Sequence, residues 1–407
     1  MPVAEATGTV EGVRQRNLTR LLRLVHFEGP MSRAALTEAT GLNRSTIGDL
    51  VAELVRSGLV IERAPDPARR VGRPSPLVVP APDVVVIAVH PEVDAVEIAA
   101  VGLDQSIGVR ERVAVDDLIT PEATAALIAE RIAAWRGGEL AAMRIIGIGL
   151  AVPGLVRAAD GLVRHAPHLQ WVDAPLHDLV AAATGLPVIV GNDASLGAIA
   201  EHLYGAARGI DDAIYLNGGA SGIGGGLIVN GMPVGGMGGY AGEFGQNRPG
   251  IATLADRRAR DGVLEDEVRR SRLMAAVGLS RATDRELAAA LAAATAPDAT
   301  AEIARERSIL ATALANAVNV LNPSAIVLGG FLAILAELDP EGFAAAVAAH
   351  SMPACAEDLQ IRSAELADER LLIGAAEAAF GPLLADPAGV GASAALVSAG
   401  PASPSDR

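Results

Sequence analysis

Two carboxylates and one amide are the side chains best placed for chemistry. Asn192 and Asp193 close the strand predicted within residues 188–194 (VIVGNDA), and Glu243 lies between glycines in the segment 238–246 (GGYAGEFGQ). An amide beside a carboxylate at a strand end can bind vicinal hydroxyl groups, and a carboxylate can also accept a proton. These three residues are therefore the candidates for ligand binding or acid–base chemistry.

Both acidic residues also have an ordinary structural interpretation. Asp193 can be the N-cap of a helix over residues 194–203, which is a frequent role for Asp, and a capping side chain keeps lone pairs for a ligand. Glu243 can be a solvated turn residue, although its glycine neighbours argue against this.

Three further glycine-bearing segments mark predicted strand ends or turns. Residues 147–154 (GIGLAVPG) form a strand that runs into a tight Pro-Gly turn at Gly154. Residues 221–226 (SGIGGG) form a glycine-rich turn between strands, and residues 322–330 (NPSAIVLGG) form a strand that ends in a double glycine.

The elements that must position these residues follow an α/β pattern that occurs twice. The first half predicts strands at 84–89, 95–103 and 109–115, a helix at 121–135 and a buried strand at 144–150. The second half predicts strands at 213–216, 225–229 and near Val234, then a long helical region and a buried strand at 325–328. This repetition predicts a duplicated two-lobed α/β domain with a cleft between the lobes.

Residues 14–60 instead show the 3.6-residue period of helices, with apolar residues at i, i+3, i+4 and i+7 in two runs. Ser32 can cap a short helix that continues to about Ala39, Gly41 ends it, and Asn43 can cap the next helix. With a preceding helix, these elements predict a three-helix core.

The next helix of this unit begins with side chains that suit DNA. Arg44, Ser45 and Thr46 offer a guanidinium and two hydroxyls at its N-terminus, the end that enters the major groove in recognition helices. The alternative is a three-helix protein-interaction module whose charged residues are solvated.

The segment after this helix favours DNA binding. Residues 59–61 and 77–79 can pair as a β-ribbon that carries the arginines of its tip, Arg69, Arg70 and Arg73. The sequence Gly-Arg-Pro at 72–74 keeps the chain narrow, which suits an arginine in a minor groove. Residues 64–82 contain six prolines and predict an extended arm and linker.

Charge supports the same interpretation. The whole chain has a formal net charge of −15, but residues 1–80 hold 11 Arg against 8 Asp and Glu. The acidic balance excludes non-specific nucleic-acid or membrane binding by the molecule as a whole, whereas its N-terminal end can approach a polyanion.

Composition limits the class of protein. At 407 residues the chain has room for two or three domains, and 51% hydrophobic residues are enough for a sizeable core. The single cysteine, Cys355, excludes an internal disulfide and any multi-cysteine metal site. No signal peptide and no apolar stretch of membrane-spanning length is evident, so we expect a soluble cytoplasmic protein.

Taken together, these segments resemble the ROK family (repressors, open reading frames and sugar kinases), which has the actin-like ATPase, or ribonuclease H-like, fold. The resemblance covers about residues 84–380 and is strongest at 188–200 and 213–246. Residues 14–80 look like the winged helix-turn-helix of the family's transcriptional regulators, including its Gly-Arg-Pro wing, which the free-standing kinases lack.

The resemblance implies roles for particular residues. Asn192, Asp193 and Glu243 match the family's ligands for sugar hydroxyls, and Asp193 also matches the base of the kinases, here vestigial. His168 stands where kinases usually carry Asn and can still donate to a hydroxyl, although a plain surface His is an equal alternative. Gly154 completes the expected ligand-binding set together with Gln246, which replaces the His of the family's Gly-Glu-x-Gly-His motif.

Departures from the family pattern indicate that phosphoryl transfer is absent. Where the kinases have Asp-x-Gly-Gly-Thr, residues 90–94 read His-Pro-Glu-Val-Asp. Glu92 and Val93 replace the glycines that admit phosphate, and the carboxylates of Glu92 and Asp94 would repel it. The second phosphate loop, 218–222, keeps small residues, and we interpret it as a tight turn between strands. Gln246 and the absence of cysteine from residues 251–270 predict that the family's zinc site is missing as well.

The sequence thus predicts a sugar-responsive transcriptional regulator that binds operator DNA as a homodimer or higher homo-oligomer. Repression is the expected mode, and activation is the alternative that the sequence leaves open. Its expected domains are a winged helix-turn-helix with linker (1–80), a degenerate kinase-like sensing and dimerisation domain (81–384) and a disordered tail (385–407). Neither zinc nor Mg-ATP is expected as a cofactor, and no membrane as a partner. The alternatives are an active sugar kinase with an accessory DNA-binding domain and a ligand-free interaction protein.

Overall fold

A computed structural model describes residues 10–64, 76–219, 222–251, 253–260 and 262–389. Its N-terminal unit has three helices and a small sheet in the order β1-β3-β2, with antiparallel pairing throughout. The elements are α1 (Val10–Glu28), β1 (Met31–Ser32), α2 (Arg33–Thr40), α3 (Arg44–Arg56), β2 (Val60–Arg63) and β3 (Leu77–Pro80).

The helix boundaries of this unit follow from local capping. The Ser32 hydroxyl accepts from the Ala35 amide at 3.1 Å, and the Asn43 side chain accepts from the Thr46 amide at 2.9 Å. Gly41 has a φ of 70°, a left-handed conformation that ends α2 at little cost for glycine. The predicted breaks and caps are therefore confirmed.

The apolar stripes of α1 and α3 form the core of the unit. The predicted stripe residues that are fully buried are Leu18, Leu21, Leu22, Val25, Ile47, Leu50, Val51 and Leu54. Val55, which continues the stripe of α3, is 41% exposed, because it lies beyond the width of the buried face. Residues 65–75, with Arg69, Arg70 and Arg73, lie outside the described residues.

The first α/β lobe has a five-stranded sheet in the order β11-β7-β4-β5-β6. Its strands are β4 (Val84–Pro91), β5 (Ala95–Gly102), β6 (Ile107–Ala114), β7 (Arg144–Val152) and β11 (Val188–Asn192). A small antiparallel sheet beside it contains β8 (Leu155–Val156), β9 (Val163–Ala166) and β10 (Trp171–Ala174). The helices of this lobe are α4 (Pro121–Arg136), α5 (Leu176–Thr184) and α6 (Asp193–Tyr204).

The second lobe has a five-stranded sheet in the order β14-β13-β12-β15-β16. Its strands are β12 (Ala213–Gly219), β13 (Gly222–Val229), β14 (Met232–Pro233), β15 (Ala325–Gly330) and β16 (Gln360–Ser363). Its helices are α7 (Leu264–Glu267), α8 (Arg270–Ala276), α9 (Asp284–Ala292), α10 (Pro297–Leu321), α11 (Phe331–Glu337), α12 (Pro340–His350) and α13 (Pro353–Ala356).

The two large sheets have the same topology. In each, the first three strands are antiparallel neighbours, and two later strands are added in parallel beside the first strand. This confirms the predicted duplication. The last helix, α14 (Arg370–Ala385), returns to the first lobe and packs on β4, β7 and α6.

The predicted tail begins too early. Ala385 is the last residue of α14, whose apolar side buries Phe380, Leu383 and Leu384 in the core shared with the N-terminal unit. The composition around residue 385 concealed this packing, since alanine suits both a buried helix and an unstructured tail. Residues 390–407, the remainder of the predicted tail, lie outside the described residues.

Candidate functional site

Asn192 ends β11 and caps helix α6. Its Oδ1 accepts from the Ser195 amide at 2.8 Å, and its Nδ2 donates to the carbonyl of Gly154 at 3.0 Å. The cap is therefore Asn192 and not Asp193, which corrects the structural alternative considered for Asp193. The bond to Gly154 brings together two predicted site positions. Gly154 itself packs closely on Ala166, since a Cβ at Gly154 would lie 2.8 Å from the Ala166 Cα.

Asp193 is the first residue of α6 and faces the space between the lobes. Its Oδ1 accepts from the Ala194 amide at 2.7 Å. Burial raises the pKa of Asp193, while the charges of His90 and Arg370 and the Ala194 amide act in the opposite direction. A carboxylate held in this way at a helix N-terminus still has lone pairs for a ligand hydroxyl.

Glu243 is close enough to Asp193 for their charges to interact, although it lines a separate cavity of about 530 Å³. Burial raises the pKa of Glu243, and the negative charges of Asp193 and Glu265 raise it further. Its loop packs directly on β13: a Cβ at Gly242 would lie 2.6 Å from the Gly225 carbonyl oxygen, and Gly242 has a φ of 100°. The glycine beside Glu243 is thus needed for close backbone packing, which argues against a merely solvated turn.

Gln246 turns towards a residue that sequence reasoning missed. Its Nε2 donates to Glu265 Oε1 at 2.6 Å, and Glu265 Oε2 accepts from the Ile223 amide of β13 at 3.3 Å. Gln246 is exposed and its described hydrogen bond goes to Glu265 rather than to Asp193. Nothing in the local pattern singled out Glu265, because its partners are 19 and 42 residues away in sequence.

His168 lies on the exposed 3₁₀ turn Pro167–Leu169, next to the small sheet of the first lobe. Within the described part of the chain, no hydrogen bond joins its side chain to Asn192, Asp193 or Glu243. Its predicted contact with a sugar hydroxyl stays a prediction.

A cavity of about 450 Å³ lies between the lobes beside Asp193. The turn between β4 and β5 contributes His90, Glu92 and Asp94 to its wall. Arg112 on β6 donates to Glu92 at 3.1 Å and to Asp94 at 2.9 Å. An ion-paired turn with two carboxylates thus borders the cavity, whose wall also includes Arg110.

Arg370 borders the same cavity from the start of α14. Its Nη2 donates to Asn217 Oδ1 at 3.0 Å, and Asn217 lies near the end of β12. The sequence analysis missed both arginines. The alternation of Arg110 and Arg112 on the half-exposed strand β6 could have indicated Arg112, whereas only the return of α14 places Arg370 here.

The residues at the family's zinc position do not suit that metal. Across the described ranges, no group of three or more His, Cys, Asp or Glu side chains is arranged to hold a metal ion. The amide of Gln246 is itself hydrogen-bonded to Glu265, and an amide is not among the thiolate, imidazole and carboxylate ligands that zinc prefers.

The start of α3 presents the predicted DNA-binding groups to solvent. Arg44 and Ser45 are exposed and Thr46 is half-buried. The Ser45 hydroxyl donates to Asn43 Oδ1 at 2.7 Å, so the capping residue also orients this side chain. The predicted second set, on the wing, lies in the undescribed segment 65–75.

Comparison with known proteins identifies the fold. The ROK family profile matches residues 86–380. The chain belongs to the ROK family. Within the family, the chain is 25% identical over 394 residues to a xylose repressor from Caldicellulosiruptor bescii, covering 92% of this chain and 98% of that one.

Two solved structures match this ROK protein over different shares of its chain. A ROK family transcriptional regulator, a homologue of the E. coli Mlc protein, matches with a TM-score of 0.76 at 23% identity, covering 95% of this chain and 99% of the other. The ROK hexokinase from Thermus thermophilus matches with a TM-score of 0.56 at 27% identity, covering 74% of this chain and 99% of the other. In the described ranges no helix is long and apolar enough to span a membrane.

Proposed function

We propose that this ROK protein is a sugar-responsive transcriptional repressor without kinase activity. The observation that carries the proposal is the extent of the structural match: it reaches 95% of the chain for a ROK regulator but 74% for a ROK hexokinase. We attribute the difference to the N-terminal unit of three helices and a small sheet. The similarity to xylose repressors over nearly the full length supports the same conclusion.

The pocket at the lobe interface suits a sugar. Asp193 supplies a carboxylate acceptor to this cavity, and Glu243, which lines a separate cavity, supplies a second. Burial raises the pKa of both carboxyl groups, and the charge of Asp193 raises the pKa of Glu243 further, so hydroxyl donors would stabilise the charged forms. Asn192 connects this pair to the Gly154 turn. A polyhydroxylated ligand can therefore bridge the lobes with several hydrogen bonds to charged acceptors.

Kinase activity is the second candidate function, because Asp193 lines the cleft as a catalytic base would. The acidic turn at Glu92 and Asp94 argues against it, since both carboxylates border the space that a nucleotide phosphate would need. The Arg112 guanidinium is already paired with both. We therefore propose that neither Mg-ATP nor zinc is a cofactor.

The proposed DNA partner is an operator with inverted half-sites. A homodimer places two α3 helices about a two-fold axis, so the half-sites should lie about one or two helical turns apart. Binding to operator DNA would place the protein in the cytoplasm.

Thermal-shift measurements against a panel of sugars, including D-xylose and D-glucose and their phosphates, test the proposal. We expect at least one sugar to raise the melting temperature and to weaken binding of a duplex selected by the protein from a random-sequence library. The proposal is contradicted if no DNA is selected, or if the sugar that stabilises the protein leaves DNA binding unchanged.

A further inference from the structure

A buried polar contact joins helix α1 to the sensing domain. The imidazole of His26 is within 2.7 Å of the Leu103 carbonyl oxygen through Nδ1, and within 3.0 Å and 3.1 Å of the Glu377 carboxylate oxygens through Nε2. The Tyr204 hydroxyl donates to Glu377 Oε1 at 2.7 Å. His26 is 1% exposed and Glu377 7% exposed. Buried polar groups are costly to leave unpaired, so this contact holds α1 in one position.

Tyr204 is fixed as a donor in this contact. Burial and the negative charge of Glu377 raise the pKa of Tyr204, so its hydroxyl keeps its proton. The aromatic ring of His26 also packs edge-on against Phe380 of α14, with 5.5 Å between ring centroids. Polar and apolar contacts therefore both tie α1 to α14.

The two helices that contact His26 both begin at the cleft. Tyr204 is the last residue of α6, and Asp193 is its first. Glu377 lies on α14, whose first residue, Arg370, contacts Asn217 at the cavity wall. With 12 residues, α6 spans about 18 Å between the candidate sugar ligand and the α1 contact.

Close backbone packing prevents these helices from moving independently. A Cβ at Gly374 of α14 would lie 2.3 Å from the Leu196 carbonyl oxygen of α6. A Cβ at Gly149 of β7 would lie 1.8 Å from the Ala375 carbonyl oxygen of α14. Backbones this close, with no room for a Cβ between them, transmit a shift rather than absorb it, because densely packed interiors have little free volume.

A parallel connection reaches the candidate recognition helix. Arg144, the first residue of β7, donates to the carbonyls of Ser57 at 3.1 Å and Gly58 at 2.5 Å, directly after α3. The other end of β7 leads into Gly154, which accepts from Asn192. Both α1 and α3 are therefore held by elements whose opposite ends lie at the candidate sugar site.

We propose that His26, Tyr204 and Glu377 are positioning residues that couple occupancy of the pocket to the orientation of the DNA-binding unit. A sugar that draws the lobes together at Asp193 shifts α6 and, through Gly374, α14. This shift moves Tyr204 and Glu377, which are hydrogen-bonded to each other and contact His26, and α1 moves with His26. This inference rests on the proposed function, since it requires a sugar in the pocket and DNA on α3.

The test compares Tyr204→Phe and His26→Gln with the matched control His350→Gln, an exposed histidine at the end of α12. Tyr204→Phe removes one hydroxyl and keeps the ring, so folding is checked by melting temperature and by affinity for D-xylose and D-glucose. The coupling factor is the ratio of affinities for the selected duplex without and with saturating sugar. Coupling is reciprocal, so sugar affinity measured with and without DNA must give the same factor.

We expect both α1-contact variants to bind sugar as the unmodified protein does, while their coupling factor falls towards one, by about fivefold or more. The control keeps the full factor. An unchanged coupling factor in folded Tyr204→Phe and His26→Gln overturns the inference.

If the unmodified protein shows no sugar response, that result contradicts the proposed function but does not test this inference. A second measurement then decides the inference. Asp193→Asn changes the charge at the start of α6 in the sugar-free protein, and hydrogen exchange then reports on α1. We expect Asp193→Asn to alter exchange in α1, and Tyr204→Phe to abolish that effect in the double variant. No effect on α1, or an equal effect with and without Tyr204→Phe, overturns the inference.

Discussion

At the scale of single residues, neighbouring side chains have different tasks. Asn192 satisfies the amide of Ser195 and the carbonyl of Gly154, so its amide group is largely used by the structure. Asp193 accepts from the Ala194 amide and has acceptor capacity left. The negative charges of Asp193 and Glu265 raise the pKa of Glu243. The two carboxylates are therefore the residues that a sugar hydroxyl would satisfy.

We expect Asp193→Ala and Glu243→Ala to abolish the sugar response while both variants still bind the selected duplex. Hydrogen bonds to charged groups are worth roughly 1.5–3 kcal/mol, so sugar affinity should fall at least about tenfold in calorimetric titrations. Glu139→Ala, an exposed turn residue after α4, is the control and should keep full affinity. Unchanged affinity in both pocket variants would reject the assigned pocket.

At the scale of elements, capping determines what α3 presents. Asn43 binds the Thr46 amide and the Ser45 hydroxyl, and these bonds leave the Arg44 side chain exposed at the first turn. An exposed guanidinium at a helix N-terminus can reach base edges in a major groove.

Arg44→Ala should weaken binding to the selected duplex by roughly 1–3 kcal/mol and reduce base preference at one position in each half-site. Arg285→Ala, on the exposed surface of α9 in the second lobe, is the matched control. Binding assays on selected and scrambled duplexes at several salt concentrations separate base reading from phosphate contact. Equal weakening on both duplexes would mean that Arg44 contacts phosphate only.

A second element-level feature is a charged cluster where α7, α8 and α10 meet. Arg305 donates to Glu267 at 3.0 Å, and Glu267 also accepts from the Arg258 and Ala259 amides. Glu306 accepts from the Arg269 amide at 2.9 Å. The cluster holds the chain after Gln246 in place by ion pairs and amide bonds.

Glu306 should make stability depend on pH. Burial raises the pKa of Glu306 from 4.5 to about 8, so its neutral form is favoured in the folded state. Between about pH 4.5 and about pH 8, Glu306 is ionised in the unfolded chain but still protonated in the folded protein, so the free energy of unfolding falls as the pH rises. Above about pH 8 both states are ionised, and the folded protein bears the full cost of the buried charge.

We therefore expect Glu306→Gln, which stays neutral, to raise the melting temperature at about pH 9 by at least about 2 °C, with a smaller gain at about pH 5. Glu139→Gln should show no such trend. Melting curves by calorimetry across this pH range measure the difference, and a gain that is independent of pH would contradict the assignment.

At the scale of the whole molecule, two copies of one sheet topology enclose a cleft, and the last helix ties the DNA-binding unit to the first copy. The cleft that would serve phosphoryl transfer in a kinase has Glu92 and Asp94 on its wall. Under the proposed function, these two carboxylates would disfavour a nucleotide phosphate at this turn, whereas Asp193 would bind a sugar hydroxyl.

We expect no ADP formation above background with ATP, magnesium and a broad sugar panel in a coupled assay. The Thermus thermophilus ROK hexokinase serves as the positive control. Robust turnover that Asp193→Asn abolishes would show that the cleft retains catalysis and would reject the repressor-only proposal.

Much of this architecture could be predicted from local sequence. Strand periodicity, the caps Ser32 and Asn43 and the break at Gly41 are decided within a few residues, because backbone hydrogen bonds and φ preferences are local. The Asn192-Asp193 pair and Glu243 were likewise evident from their turns. The boundary at residue 385 was not, since burial of α14 depends on a partner surface distant in sequence.

The tertiary structure alone decided which partners meet. His26 looks like one more residue on the apolar face of α1, yet its partners Tyr204 and Glu377 lie 178 and 351 residues away. Arg370 reaches the cleft only because α14 crosses back from the second lobe to the first. Local sequence determines helices, strands and turns because their hydrogen bonds are local. The contact of His26 with Tyr204 and Glu377 depends instead on packing between residues that are distant in sequence, and no short segment predicts such packing.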